Sequence, residues 1–107
     1  MREKAIKALL ELGISANTKG FMYITDVMEL LEENEDLRFQ ITKLYGEVAK
    51  LHEDTTATRV ERAIRHAFQE VCSYAPKEVV EKYLTNTGRQ SNGNLISILY
   101  IRLKGVK

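Results

Sequence analysis

Apolar residues recur along most of this chain at the three- and four-residue spacing that is typical of amphipathic α-helices. The spacing predicts helices over about 2–12, 18–32, 39–52 and 58–74, and another from residue 76 onward. Gly13 followed by Ile14 indicates a glycine-closed end for the first helix, and Pro76 suits the first turn of the fifth. The β-branched stretch 95–103 has no second strand to pair with, so it is predicted to be a sixth helix. The predicted fold is therefore all-α.

The third and fourth predicted helices, joined by the short polar segment 52–56, form a candidate helix-turn-helix over about 40–74. Four apolar residues are spaced to pack these two helices together: Val48, Leu51, Val60 and Ile64. In this motif the second helix lies in the major groove of DNA. The pattern predicts one helical DNA-binding domain over residues 1–107, with a loop at about 86–94.

The fourth helix has two different faces when its residues are placed at about 100° intervals. The apolar face carries Val60, Ala63, Ile64, Ala67 and Val71. The opposite face carries Arg59, Arg62, Arg65, His66 and Gln69, with Phe68 and Glu61 at the boundary. Arginine bonds guanine O6 and N7 through both arms of its guanidinium group, and glutamate accepts from cytosine N4. This arrangement favours sequence-specific recognition of duplex DNA.

Composition changes this picture only slightly. The chain is 44% hydrophobic and 29% charged, as in ordinary globular proteins. Its net charge of +1 is lower than that of most nucleic-acid-binding domains. However, acidic residues gather at 32–36 and basic ones at 59–66, so one face can still be basic. No apolar run approaches the roughly 20 residues that span a bilayer. With Cys72 as its single cysteine, the chain is expected in the cytoplasm.

Competing interpretations exist for these residues. Thr58 and Glu61 have the spacing of a helix capping box, which does not exclude a base contact by Glu61. The arginines could equally form a solvated helix face. The spacings of His52, His66 and Cys72 match no zinc site, so no metal is expected. No phosphate-binding or nucleophile motif occurs, so neither a cofactor nor an enzymatic activity is predicted.

The segment TTATRVERAIRHAF, at Thr55–Phe68, resembles the recognition region of a known family. The family is the C-terminal DNA-binding effector domain of stage 0 sporulation protein A, from the response regulators that start endospore formation. The similarity continues through GISANTKGFMYITDVMELL and ITKLYGEVAKLHEDT, and so covers nearly the whole chain. It implies a six-helix, winged-helix-like fold of the response-regulator effector type. It also implies sporulation control by transcription regulation, through binding to TGNCGAA-type promoter boxes.

The resemblance further implies roles for individual residues and partners. Base contacts are expected from Arg59, Glu61 and Arg62. Phosphate contacts are expected from Thr56, Thr58, Arg65, His66, Arg89 and Asn92, the last two in the turn before the final helix. Family members bind adjacent boxes as dimers, and contacts with the sigma subunit of RNA polymerase are attributed to the region that corresponds to 72–87. That segment of this chain differs from the family pattern, which puts polymerase contact through the same surface in doubt.

A different class of function is also compatible with the sequence. The family's regulators carry an N-terminal receiver domain, for which 107 residues leave no room, so we expect an excised effector domain or a stand-alone relative. A receiverless relative could act as a protein-interaction module that modulates a full-length regulator. The acidic run at 32–36 and the divergent segment 72–87 motivate this alternative. A third hypothesis, RNA binding, lacks the aromatic platform that single strands require.

Overall fold

The computed structural model describes residues 1–85 and 90–105, and within these it contains helices and turns without a strand. The helices are α1 (Arg2–Glu11), α2 (Lys19–Glu33), a 3-10 helix (Glu35–Phe39), α3 (Ile41–Lys50), α4 (Ala57–Tyr74), α5 (Lys77–Tyr83) and α6 (Asn92–Lys104). The prediction of an all-α fold with six helices is confirmed. The stretch 95–103 is helical, as predicted.

Local sequence signals determine where helices begin and end. Gly13 has a φ angle of 86°, in the left-handed region that glycine adopts readily. The N–H of Ile14 donates to the carbonyl of Leu9 at 3.0 Å, which closes the end of α1 as predicted. At the start of α2, the Thr18 hydroxyl oxygen accepts from the Phe21 N–H at 3.3 Å. Both signals were visible in the sequence, because glycine and threonine have strong positional preferences at helix ends.

The structure corrects the expected bounds of α3 and α5. Helix α3 ends at Lys50 rather than 52, and it begins after Phe39, whose side chain is 74% exposed. Leu51 follows the helix and is 58% exposed, so its predicted place between α3 and α4 was wrong. Leu51 is the capping residue at the end of α3, and its side chain lies largely in solvent. Pro76 precedes α5 instead of occupying its first turn.

Helix α2 is the central element of the core and contacts α1, α3, α4 and α6. Most of its length is buried, in contrast to the one-sided burial of α4. The core here is formed by fully buried side chains of α2 and of four other helices: Leu9, Ile24, Val27, Met28, Leu31, Leu44, Ile64, Phe68 and Leu99. Burial of such side chains is the main favourable contribution to folding. Because α2 packs against α3 and α4 together, it fixes their relative position.

The backbones of α2 and α4 lie very close together at Gly20. A Cβ atom on Gly20 would lie 2.8 Å from the carbonyl oxygen of Ala63 and 2.9 Å from the Cβ of Ala67. Both distances are too short for a methyl group. Only glycine therefore allows this approach. The sequence analysis did not single out Gly20, although a glycine inside a helical pattern often marks close packing.

An ion pair and a hydrogen bond connect the 3-10 helix to the last helix. Glu35 accepts hydrogen bonds from the Lys104 ammonium at 2.5 Å and from the Tyr100 hydroxyl at 3.1 Å. Both hydrogen bonds lower the pKa of Glu35 below its usual value, and the bond from Lys104 has the larger effect. In the same acidic run, a carboxylate oxygen of Glu32 lies 3.3 Å from the N-terminal ammonium of Met1, so at least two of the carboxylates at 32–36 are paired within the fold. None of the helices in the described part of the chain is long and apolar enough to cross a membrane.

Candidate nucleic-acid interface

Helices α3 and α4, with the turn between them, have the helix-turn-helix arrangement that the sequence predicted. Val48 of α3 and Val60 and Ile64 of α4 are completely buried. Phe68, predicted at the boundary of the two faces, is only 1% exposed. The buried side of α4 is therefore broader than the wheel indicated, and the helix is held firmly against the core.

The opposite side of α4 carries the polar side chains that the wheel placed there. Five of them are exposed: Arg59, Arg62, Arg65, His66 and Gln69. Arg62 makes no hydrogen bond or ion pair with any residue of the described ranges 1–85 and 90–105. The result is a solvent-facing surface rich in long hydrogen-bond donors, which we call the α4 basic face. Its dimensions and chemistry suit the major groove, which admits an α-helix.

Several side chains of the α4 basic face and its edge have partners on the same helix. The Arg65 Nη1 lies 3.3 Å from a carboxylate oxygen of Glu61, and the His66 Nε2 lies 3.1 Å from one of Glu70. In each pair the two residues are one helical turn apart, and all four side chains are at least partly exposed. An exposed ion pair between residues four apart on a helix, such as Arg65 and Glu61, contributes about 0.3–0.5 kcal/mol. These side chains can therefore exchange their partners for DNA at little energetic loss.

The start of α4 differs from the predicted one. Thr56 is the capping residue, and its hydroxyl oxygen accepts from the Arg59 N–H at 3.2 Å. Thr58 lies inside the first turn, so the alternative interpretation of Thr58 and Glu61 as a capping box does not hold. Helix α4 begins at Ala57, one residue before the predicted start at 58, and its capping residue is therefore Thr56. Glu61 is therefore not used as a cap, and its carboxylate faces Arg65.

The first residue of α6 contacts the N-terminal part of α4. The Asn92 side-chain amide donates to the backbone carbonyl of Glu61 at 3.0 Å, and Asn92 also shares a hydrogen bond with the Tyr45 hydroxyl. Burial raises the pKa of Tyr45, while the bond with Asn92 acts in the opposite direction. Asn92 thus lies beside the predicted base-contact residue Glu61. Arg89, the other phosphate-contact candidate predicted near here, lies outside the described residues.

The residues considered for a metal site lie in separate surroundings. His52 contacts Asp26 and His66 contacts Glu70, while Cys72 is exposed on α4. Desolvation by the neighbouring atoms of α4 and its surroundings nevertheless raises the pKa of the Cys72 thiol, which disfavours the thiolate that binds metals. Across residues 1–85 and 90–105, no group of three His, Cys, Asp or Glu residues could hold a metal ion.

A buried scaffold, a short turn and an exposed basic recognition helix together define a helix-turn-helix DNA-binding domain. The family model described as the C-terminal region of the sporulation initiation factor Spo0A matches residues 5–103 of the 107. The chain belongs to this family, whose members are regulatory DNA-binding domains of sporulation initiation rather than catalytic domains. The resemblance seen in the sequence is thereby confirmed.

Proposed function

We propose that this domain regulates transcription by binding TGNCGAA-like promoter boxes, with α4 in the major groove. The α4 basic face carries the proposal, because its polar side chains are exposed while the reverse side of the same helix is buried. A helix held in this way can enter the groove without rearrangement of the fold. Duplex DNA would be met in the cytoplasm, where the domain is expected to act.

Direct reading of bases is assigned to Arg59, Glu61 and Arg62. Arg62 is the strongest of the three, since it is exposed and has no partner in the described part of the chain. Its guanidinium group is free to bond a guanine through two N–H groups. Arg59 lies three residues and Glu61 one residue before it, at the end of α4 that a recognition helix presents to the bases.

Phosphate contacts are assigned to residues at the start and the edges of α4. Thr56 and Thr58 lie at the N-terminus of this long helix, where free N–H groups and the helix dipole attract anions. Arg65 and His66 lie further along the exposed side. Asn92, the first residue of α6, is assigned to the same class, and so is Arg89, which lies outside the described residues. The Asn92 side chain already donates to the Glu61 carbonyl and shares a hydrogen bond with Tyr45, so its assignment rests on its position beside α4.

We expect Arg62→Ala and Arg65→Ala to weaken DNA binding in two different ways. Arg62→Ala should reduce the binding free energy for the box by about 1–3 kcal/mol and relax base preference there. Arg65→Ala should weaken binding to every duplex similarly and reduce the salt slope by about 1. Fluorescence anisotropy with box and scrambled duplexes at several salt concentrations measures both effects.

The control for this pair is Lys77→Ala, which removes a charge from α5, outside the helix-turn-helix. It should leave the preference for the box unchanged. If Arg62→Ala and Arg65→Ala lose the same affinity on both duplexes, the assignment of base and phosphate roles is incorrect.

Occupation of adjacent boxes by two copies, and contact with the sigma subunit of RNA polymerase, are further proposals that rest on the family. The alternative of a protein-interaction module receives less support. Glu35 of the acidic run is bound to Lys104 and Tyr100 within the fold, so this run is only partly available to a partner. An interaction module would also have no need for the exposed arginines of α4.

A further inference from the structure

Asp26 is a charged side chain in the buried part of α2. Only 7% of the side chain is exposed, and its two carboxylate oxygens have separate partners. One accepts from the Arg2 guanidinium at 3.0 Å, and the other lies 2.7 Å from Nε2 of His52. A buried carboxylate is unfavourable unless it is paired in this way. Its position therefore requires a reason beyond the packing of α2.

His52 lies in the turn of the helix-turn-helix, between α3 and α4. Its side chain is 25% exposed, while those of Leu51, Glu53 and Asp54 on either side are exposed to solvent. Besides Asp26, the ring meets Tyr23 of α2 edge to face, with the ring centres 5.3 Å apart. Both contacts come from one helix, so His52 fastens the turn to α2.

The turn that His52 attaches to α2 also holds Arg59, the first of the proposed base-contact residues. The backbone carbonyl of Asp54, two residues after His52, accepts from Nη1 of Arg59 at 3.3 Å. Thr56, from the same turn, accepts from the backbone N–H of Arg59 at 3.2 Å. The side chain and the backbone of Arg59 are thus both bonded to the segment that His52 anchors.

We propose that Asp26 and His52 are positioning residues for DNA recognition. Through their hydrogen bond they fix the turn, and the turn presents Arg59 to the base it reads. The proposal rests on the proposed function, because it concerns how one base-contact residue is held. It adds two residues outside the α4 basic face to those that determine specificity.

His52→Phe tests this role, because phenylalanine keeps a ring for Tyr23 but cannot donate to Asp26. We expect its affinity for the box duplex to fall about three- to tenfold, with affinity for a scrambled duplex nearly unchanged. His52→Gln should restore most of the loss, since its amide can donate to Asp26. Circular dichroism and urea unfolding establish that each variant is folded under the binding conditions.

The same comparison in an Arg59→Ala background shows whether the effect passes through Arg59. In that background His52→Phe should change box affinity by less than about twofold, because the residue it positions has been removed. Equal losses on both duplexes, no loss on the box, or a full loss in the Arg59→Ala background would each overturn the proposal.

Asp26→Asn provides an independent variant should His52→Phe not fold. It keeps the size of the side chain but removes the charge that binds His52, and the same preferential loss on the box is expected. Loss of affinity on both duplexes alike would contradict the positioning role. A wild-type protein that does not prefer the box at all would refute the proposed function itself, so the two failures are distinguishable.

Discussion

Replacing Phe68 with alanine is expected to lower the free energy of unfolding by about 3–5 kcal/mol. The ring lies on the buried side of α4 and is only 1% exposed. Its removal leaves a cavity between α4 and the rest of the core, and it also loses the apolar area that the ring buries. Urea unfolding followed by circular dichroism measures the change directly. The substitution leaves the exposed arginines of α4 in place.

Tyr74→Ala is the matched control on the same helix. Tyr74 is 85% exposed at the end of α4, so its removal should change the free energy of unfolding by less than about 0.5 kcal/mol. If Phe68→Ala changed the free energy of unfolding by as little, α4 would not pack against the core through the side that carries Phe68. The orientation described for the α4 basic face would then be incorrect.

Gly20→Val is expected to lower the free energy of unfolding by about 3 kcal/mol, at the upper end for an overpacked core. The Cβ alone would lie 2.8 Å from a backbone oxygen of α4, and that atom cannot move as a flexible side chain can. Valine adds two further methyl groups to this contact. Without the clash the substitution would be nearly neutral or slightly stabilising, since glycine is the poorer helix former.

Gly46 supplies the control for this substitution. It lies in α3, and a Cβ atom there would have nothing within 4 Å. Gly46→Val should therefore change stability by less than about 1 kcal/mol. If Gly20→Val and Gly46→Val were equally tolerated in thermal and urea unfolding, the close contact between α2 and α4 would be disproved.

Periodicity predicted the helices of this chain well because most of them bury one side against a common core, while the central helix α2 is apolar over most of its length. The two faces of α4 could be read directly, since burial of Val60 and Ile64 and exposure of Arg62 follow from helical geometry alone. The closed end at Gly13 was predictable for a similar reason, because it depends on neighbouring residues only.

Features that depend on contacts between helices were not predictable from the pattern. The close approach at Gly20 and the pairing of Asp26 with His52 join residues distant in the sequence. The exact start of α4 was also missed, because Thr56 and Thr58 are both good caps and the sequence alone does not choose between them. Leu51 was placed in the core because the predicted helix was two residues too long.

The candidate site was also predictable from the sequence only in part. Arg59, Arg62 and Arg65 were found from the wheel, but the bonds of Arg59 to the turn appear only in the folded chain. The residues that hold the site are therefore harder to find from the sequence than the residues that form it. The family resemblance supplied the assignment to TGNCGAA-type boxes, which no pattern of apolar positions could provide.

The central claim is sequence-specific DNA binding through α4, and one binding measurement tests it most directly. Fluorescence anisotropy of the wild-type chain should be recorded with a duplex that carries two TGNCGAA-type boxes and with a scrambled duplex, at two salt concentrations. We expect tighter binding to the boxes at both salt concentrations, because base contacts do not depend on counterion release. Equal and strongly salt-dependent binding to both duplexes, or no binding to either, would contradict the claim.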